Sequence, residues 1–73
     1  MNRLRELRHQ RGLAMWALAA RSRVHPSQLT GIERHHYMPG PIIRDRIASA
    51  LGVPVTEIWP DLSAEAADAA RPR

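Results

Sequence analysis

The residues able to do chemistry crowd into one stretch of this 73-residue chain, Val24 to Gly40, VHPSQLTGIERHHYMPG. It holds one serine, one glutamine, three histidines, a tyrosine, an arginine and one carboxylate, Glu33. Nucleophilic catalysis needs a nucleophile, a base and an orienting group, and no spacing here supplies the three. A metal site is equally unsupported. Adjacent His35 and His36 do not readily share one ion, cysteine is absent, and no acid is spaced to complete a ligand set. No enzyme activity, cofactor or metal is therefore expected. What remains is hydrogen bonding and charge.

The charge is uneven. All 11 basic residues other than histidine are arginine. Residues 1–36 carry seven of them against Glu6 and Glu33, while residues 37–73 carry four against five acids. The net +4 thus lies wholly in the N-terminal half. A basic half on so small a domain points to a polyanionic partner. The absence of cysteine fits a reducing, cytoplasmic setting. The charged N-terminus, MNRLRELRHQR, is no signal peptide, and no apolar run approaches the roughly 18 residues of a membrane span.

The elements that must hold this stretch read as five short helices and no strands. Helix 1 is expected from Asn2 to Arg11, with Asn2 as cap, Leu4 and Leu7 on one face, and Gly12 as stop. Helix 2 spans Ala14–Arg21, and Ser22-Arg23-Val24 connects it to helix 3. Pro26 opens helix 3, since a proline at the first helical position loses no hydrogen bond. Leu29 and Ile32 give that helix a buried stripe, and it runs to Arg34. Helix 4 starts at Pro41, buries Ile43, Ile47 and Leu51, and stops at Gly52. Pro54–Trp59 forms helix 5, with Trp59 as the large core filler in a chain that has no phenylalanine. Residues 1–60 are one domain; residues 61–73 read as an Ala-rich flexible tail, or at most a frayed helix capped by Ser63.

Two short helices joined by about three residues suggest a helix-turn-helix. The resemblance becomes specific when the segments are joined: LRELRHQRGL, LA, V-x-x-S-x-L-x-x-I-E-R, P-G-P and IASALGVPVTEIWP. In this order and spacing, covering residues 2–60, they resemble the XRE/Cro-type repressor helix-turn-helix family. The resemblance implies an all-α, compact five-helix domain. Helix 3 would enter the DNA major groove while helix 2 crosses the backbone.

It also assigns roles. Arg8 and Glu33 match a buried or half-buried structural ion pair, which would explain an acid standing alone between Glu6 and Asp45. The base-reading positions fall on Pro26, Ser27 and Gly31, with His25 and Gln28 nearby. Glutamine can contact adenine bidentately and serine can serve bases or phosphates, so Gln28 reads bases or faces the backbone. Pro26 and Gly31 depart from the pattern by offering no side-chain donor. Gly31 is either drift or a means of close approach to the groove. Ala14, Met15 and Trp16 stand where relatives carry a cap and a backbone-contacting glutamine. Met15 folds onto the core. Trp16 lies over helix 1 or the end of helix 3, or else meets DNA or a second protein. Arg21 and Arg23 flank the turn beside the DNA backbone. His35, His36 and Tyr37, helped by Arg34, form a phosphate clamp or a solvated loop. Arg44 and Arg46 on helix 4 point at DNA or at solvent.

The reading is a small sequence-specific regulator of double-stranded DNA, a repressor binding its operator as a homodimer. Ile42, Val53, Val55, Trp59 and Leu62 are the expected dimer surface, and no small-molecule ligand or membrane is expected as a partner. The rival is a protein-interaction module of the same fold, an antitoxin or adaptor. Met15-Trp16 and the bare reading positions favour that rival.

Overall fold

The computed structural model describes residues 1–62, and these form five helices with no strand among them: α1 Leu4–Gln10, α2 Met15–Ser22, α3 Pro26–His35, α4 Pro41–Leu51 and α5 Val55–Ile58. Each expected helix is present, with no end displaced by more than two residues. The expectations for residues 63–73, including a Ser63 cap, lie outside the described residues. No helix among those described is long and apolar enough to cross a membrane.

The helix ends follow backbone chemistry. Gly12 adopts φ +62 beyond α1. This left-handed turn lets its own N–H reach the His9 carbonyl and the Leu13 N–H reach the Arg8 carbonyl. Gly52, at φ +69, repeats the arrangement after α4, with the Val53 N–H donating to Ala48. A side chain at either position would strain the backbone. At the other end of α1, the Asn2 carboxamide oxygen accepts the Leu4 N–H at 3.1 Å.

All five helices, with the turn residue Val24, surround one core. Leu4 and Leu7 of α1, Leu18 of α2, Leu29 and Ile32 of α3, Ile47, Ala48 and Leu51 of α4, and Ile58 with Trp59 at α5 are buried together. Fully burying such a side chain contributes about 1.5–3 kcal/mol. The two termini of the domain meet, because the Arg3 N–H donates to the Ile58 carbonyl at 2.8 Å. Leu62 packs against the core as well, and its N–H donates to the Trp59 carbonyl, so packing continues past residue 60.

Trp59 requires a correction. Its side chain is 1% exposed and fills the core, so it is withdrawn from the expected dimer surface. The short α5 turns the indole inward, and its N–H has no hydrogen-bond partner among the described residues.

One polar contact joins α1 to α3 across the rim of this core. Arg8 Nε donates to Glu33 Oε2 at 2.8 Å and a second guanidinium nitrogen donates to Oε1 at 3.1 Å. A third donates to the Leu13 carbonyl at 2.8 Å. The side chains are only 12% and 4% exposed. The hydrogen bond to Glu33, with its negative charge, holds the Arg8 guanidinium even more firmly protonated than an ordinary arginine. Removing one member of a buried pair strands the other charge and costs about 3–5 kcal/mol. Arg8→Ala should therefore lower the melting temperature by roughly 10 °C or more, given 4–8 °C per kcal/mol in domains of this size. Arg8→Met combined with Glu33→Leu should recover most of the loss. Thermal unfolding of the two variants checks this, and an unchanged melting temperature in Arg8→Ala would remove the pair from the stability argument.

Candidate nucleic-acid interface

The N-terminus of α3 is set by His25, not by one of the usual small capping residues. Its backbone is extended, at φ −60 and ψ 139, and its ring Nδ1 accepts the Ser27 N–H at 3.1 Å. The Ser27 hydroxyl oxygen lies 2.6 Å from the same nitrogen. Pro26 takes the first helical position, where a missing N–H leaves nothing unpaired. One turn on, the Thr30 hydroxyl donates to the Pro26 carbonyl at 2.9 Å.

From this start the helix divides into two faces. Leu29 and Ile32 are fully buried. Pro26, Ser27 and Arg34 are exposed, and Gln28, Thr30 and Gly31 are half-buried. Ser27, Gly31 and Arg34 stand four and three residues apart, which places them on one outward stripe. A methyl group at Gly31 would meet no atom within 4 Å, so nothing inside the protein requires glycine there.

The turn before α3 is tight. Ser22 is buried and its hydroxyl donates to the Leu18 carbonyl at 2.7 Å. Val24 is buried too, which leaves Arg23 to make the bend at φ 57. A left-handed backbone at a non-glycine residue costs on the order of 1–2 kcal/mol. The Arg21 and Arg23 side chains are exposed on either side of this bend, at a cleft they share with Asp45 and Arg46 of α4.

At the start of α2, Ala14 provides no capping side chain. Met15 is half-buried against the core, as its apolar neighbours suggest. Trp16 does not lie over α1 or the end of α3. It is 74% exposed, because Met15 takes the inward position and the next residue points about 100° further round the helix.

The C-terminus of α3 extends one residue beyond expectation, to His35, and turns at His36 with φ 51. The Tyr37 N–H reaches the Gly31 carbonyl at 3.4 Å. Asn2 ties this end to α1. Its side-chain nitrogen donates to the Ile32 carbonyl at 2.8 Å, and its backbone N–H donates to His36 Nδ1 at 3.3 Å. His36 is thereby drawn toward α1, though it is exposed like His35 and Tyr37. Arg44 folds back to the Pro39 carbonyl at 3.1 Å, fixing the buried Pro39 at the head of α4.

Both carboxylates of the N-terminal half are occupied. Glu33 is held by Arg8, and Glu6 by Arg3 at 3.1 Å. The hydrogen bond and charge of Arg3 hold the Glu6 carboxyl below the usual carboxylate range. Arg5, Arg11, Arg21, Arg23 and Arg34 have no ion-pair partner among the described residues. The cleft between α1, the start of α2 and α3 is lined by Arg5, Arg8, His9, Met15, Thr30, Glu33 and Arg34. No group of three metal-ligating side chains gathers among the described residues.

The sequence reading found the residues of the outward stripe but missed what holds them. His25 gave no capping signal, because histidine is absent from the common N-cap set of Ser, Thr, Asp and Asn. The left-handed bend at Arg23 had no glycine to mark it.

A search of curated proteins returned no match to this chain. A helix-turn-helix family model matches residues 4–58, from the first residue of α1 to the last of α5. The chain belongs to the XRE/Cro-type helix-turn-helix family of DNA-binding domains.

Proposed function

We propose that α3 lies in the major groove of double-stranded DNA and that the protein is a small transcriptional repressor acting as a homodimer. The observation that carries this is electrostatic. The outward stripe of α3 is flanked by Arg21, Arg23 and Arg34, and the only acid between Glu6 and Asp45 is locked to Arg8. Asp45 shares a cleft with Arg21, Arg23 and Arg46, so cations outnumber carboxylates on this face, and such a face attracts phosphate. Ser27 and Gln28 are the base-reading side chains, and the bare Pro26 and Gly31 let the helix backbone approach the base edges. Arg21, Arg23, His25, Arg34, His35, His36 and Tyr37 line the backbone on both sides, with Met15 and Trp16 at the start of α2. A module of this size makes a limited interface, so two copies on adjacent half-sites supply useful affinity. Ile42, 69% exposed at the head of α4, with the half-buried Val53, Val55 and Leu62, forms the surface proposed to join them. Occupying an operator blocks access to it, which makes repression the simplest consequence.

The exposed Trp16 favours a second reading, in which α2 docks a protein partner. Salt separates the two. Duplex affinity should fall by about 10³-fold or more between about 50 and 200 mM salt if six or more phosphates are contacted by the dimer. Selection from a random duplex pool should return an inverted repeat with half-sites about one helical turn, roughly 10 bp, apart. A shallow salt response with no enriched sequence would favour the protein partner.

Two substitutions test individual positions. Arg23→Gly relieves the left-handed strain and should raise the melting temperature by several degrees, as about 1 kcal/mol is recovered. It should also weaken duplex binding and lower the salt slope by about one unit for each phosphate that is no longer neutralised. Gly31→Ala should stabilise the free protein by about 0.5–1 kcal/mol, since alanine is the better helix former and the site has space. If Gly31 lies against base edges, the same methyl group weakens duplex binding. Melting and duplex titration of each variant would show opposite signs; a stabilised Gly31→Ala that binds duplex as before would place Gly31 away from the groove.

A further inference from the structure

The contact between His25 and Ser27 has a consequence for what Ser27 can recognise. A neutral imidazole has one N–H donor and one lone-pair acceptor. His25 Nδ1 receives the Ser27 backbone N–H at 3.1 Å, and an amide N–H can only donate. In the tautomer that accepts this bond, Nδ1 carries the lone pair and the ring hydrogen sits on Nε2. The Ser27 hydroxyl oxygen, 2.6 Å from Nδ1, then faces a lone pair and must aim its hydrogen at it. Any other rotor position would set two lone pairs against each other. With its hydrogen committed, the hydroxyl presents only acceptor lone pairs outward from an exposed position on the groove-facing stripe.

We infer that His25 is a positioning residue that makes Ser27 an obligate hydrogen-bond acceptor, and so restricts the base it reads to adenine or cytosine. The inference rests on the reading above, in which α3 faces base edges. In the major groove, adenine offers its N6 amino group and cytosine its N4 amino group as donors. Guanine and thymine offer acceptors there. A free serine is indifferent, because its hydroxyl can rotate to donate or accept. An oriented one is selective, and the orientation exists before DNA arrives.

The experiment is duplex selection from a random pool in mildly alkaline buffer, with wild type, Ser27→Ala and His25→Gly. Ser27→Ala identifies the base pair that Ser27 reads. At that pair the wild type should prefer the duplex that keeps the adenine or cytosine amino group over the same duplex in which hydrogen replaces it (purine for adenine, pyrimidin-2-one for cytosine) by about tenfold, the scale of one well-placed base contact. His25→Gly keeps an acceptable N-cap residue but removes the ring. It should reduce this preference to about twofold or less while leaving preferences at other positions in place. A cap with a purely structural role would instead weaken all sequences alike. Should His25→Gly fold poorly, His25→Ser takes its place, because it retains a capping oxygen without a fixed acceptor. The inference is overturned if removing that amino group costs the wild type nothing, if the ring-free variants keep the wild-type preference, or if Ser27→Ala changes no position. In each of those cases an enriched inverted repeat still upholds groove binding by α3. Failure of every protein to enrich any sequence would overturn groove binding itself.

Discussion

The Arg8–Glu33 contact is the constraint on which the rest of the structure depends. It spans α1 and α3, and through the Leu13 carbonyl it also fixes the approach to α2. Its value is not mainly Coulombic. A paired charge in a largely buried setting recovers little more than it gave up on leaving water. What the contact supplies is geometry: two parallel hydrogen bonds and a third to the backbone set the angle at which α3 leaves the core. It also removes a problem of sign. Glu33 is the one carboxylate on α3, and a free carboxylate there would repel phosphate. Held by Arg8, it becomes a strut, and the remaining arginines define the field.

The second organising feature is the way α3 is tied at both ends by side chains from elsewhere. His25 closes its N-terminus, and Asn2 reaches from before α1 to the Ile32 carbonyl at its C-terminal turn. The same Asn2 caps α1, so one carboxamide serves two helix ends. The bends on either side of α3 fall on Arg23 and His36, both left-handed without being glycine. Glycine at these points would fit the backbone more easily. The chain accepts the strain and places a cation at one bend and an imidazole at the other. This is the pattern of a segment in which side-chain chemistry outweighs backbone ease.

Much of this was legible in the sequence, for identifiable reasons. The spacing of Leu4 with Leu7, Leu29 with Ile32, and Ile47 with Leu51 marks the buried faces, because apolar periodicity and burial share one cause. Gly12 and Gly52 mark helix ends because their backbone conformation excludes most other residues. The legible parts are those in which a residue type has one dominant physical use. Trp16 shows the opposite case, as does Trp59, which was expected both as core filler and at the dimer surface and is only the former. A tryptophan is equally at home in a core or on a binding surface, and only the register of α2 and α5 decides. Trp59 turned inward and Trp16 outward. Contacts such as His25 with Ser27 and Asn2 with Ile32 were not legible, because they depend on side-chain rotamers and on two segments meeting in space.

In the proposed reading, α3 is a recognition helix with two bare positions. A recognition helix usually gains selectivity by adding side chains, each with its own entropy to lose on binding. Here Pro26 and Gly31 remove side chains, and the hydroxyl groups of Ser27 and Thr30 are already committed within the helix. What is left is a smooth, rigid surface with few donors, flanked by arginines. Such a surface can come close to base edges at small entropic cost, and it is sensitive to groove width and to the position of thymine methyl groups. A rigid helix with few contacts also forgives no misplacement. On that proposal, the bonds that fix the ends and angle of α3 carry as much of its selectivity as the residues that point outward from it.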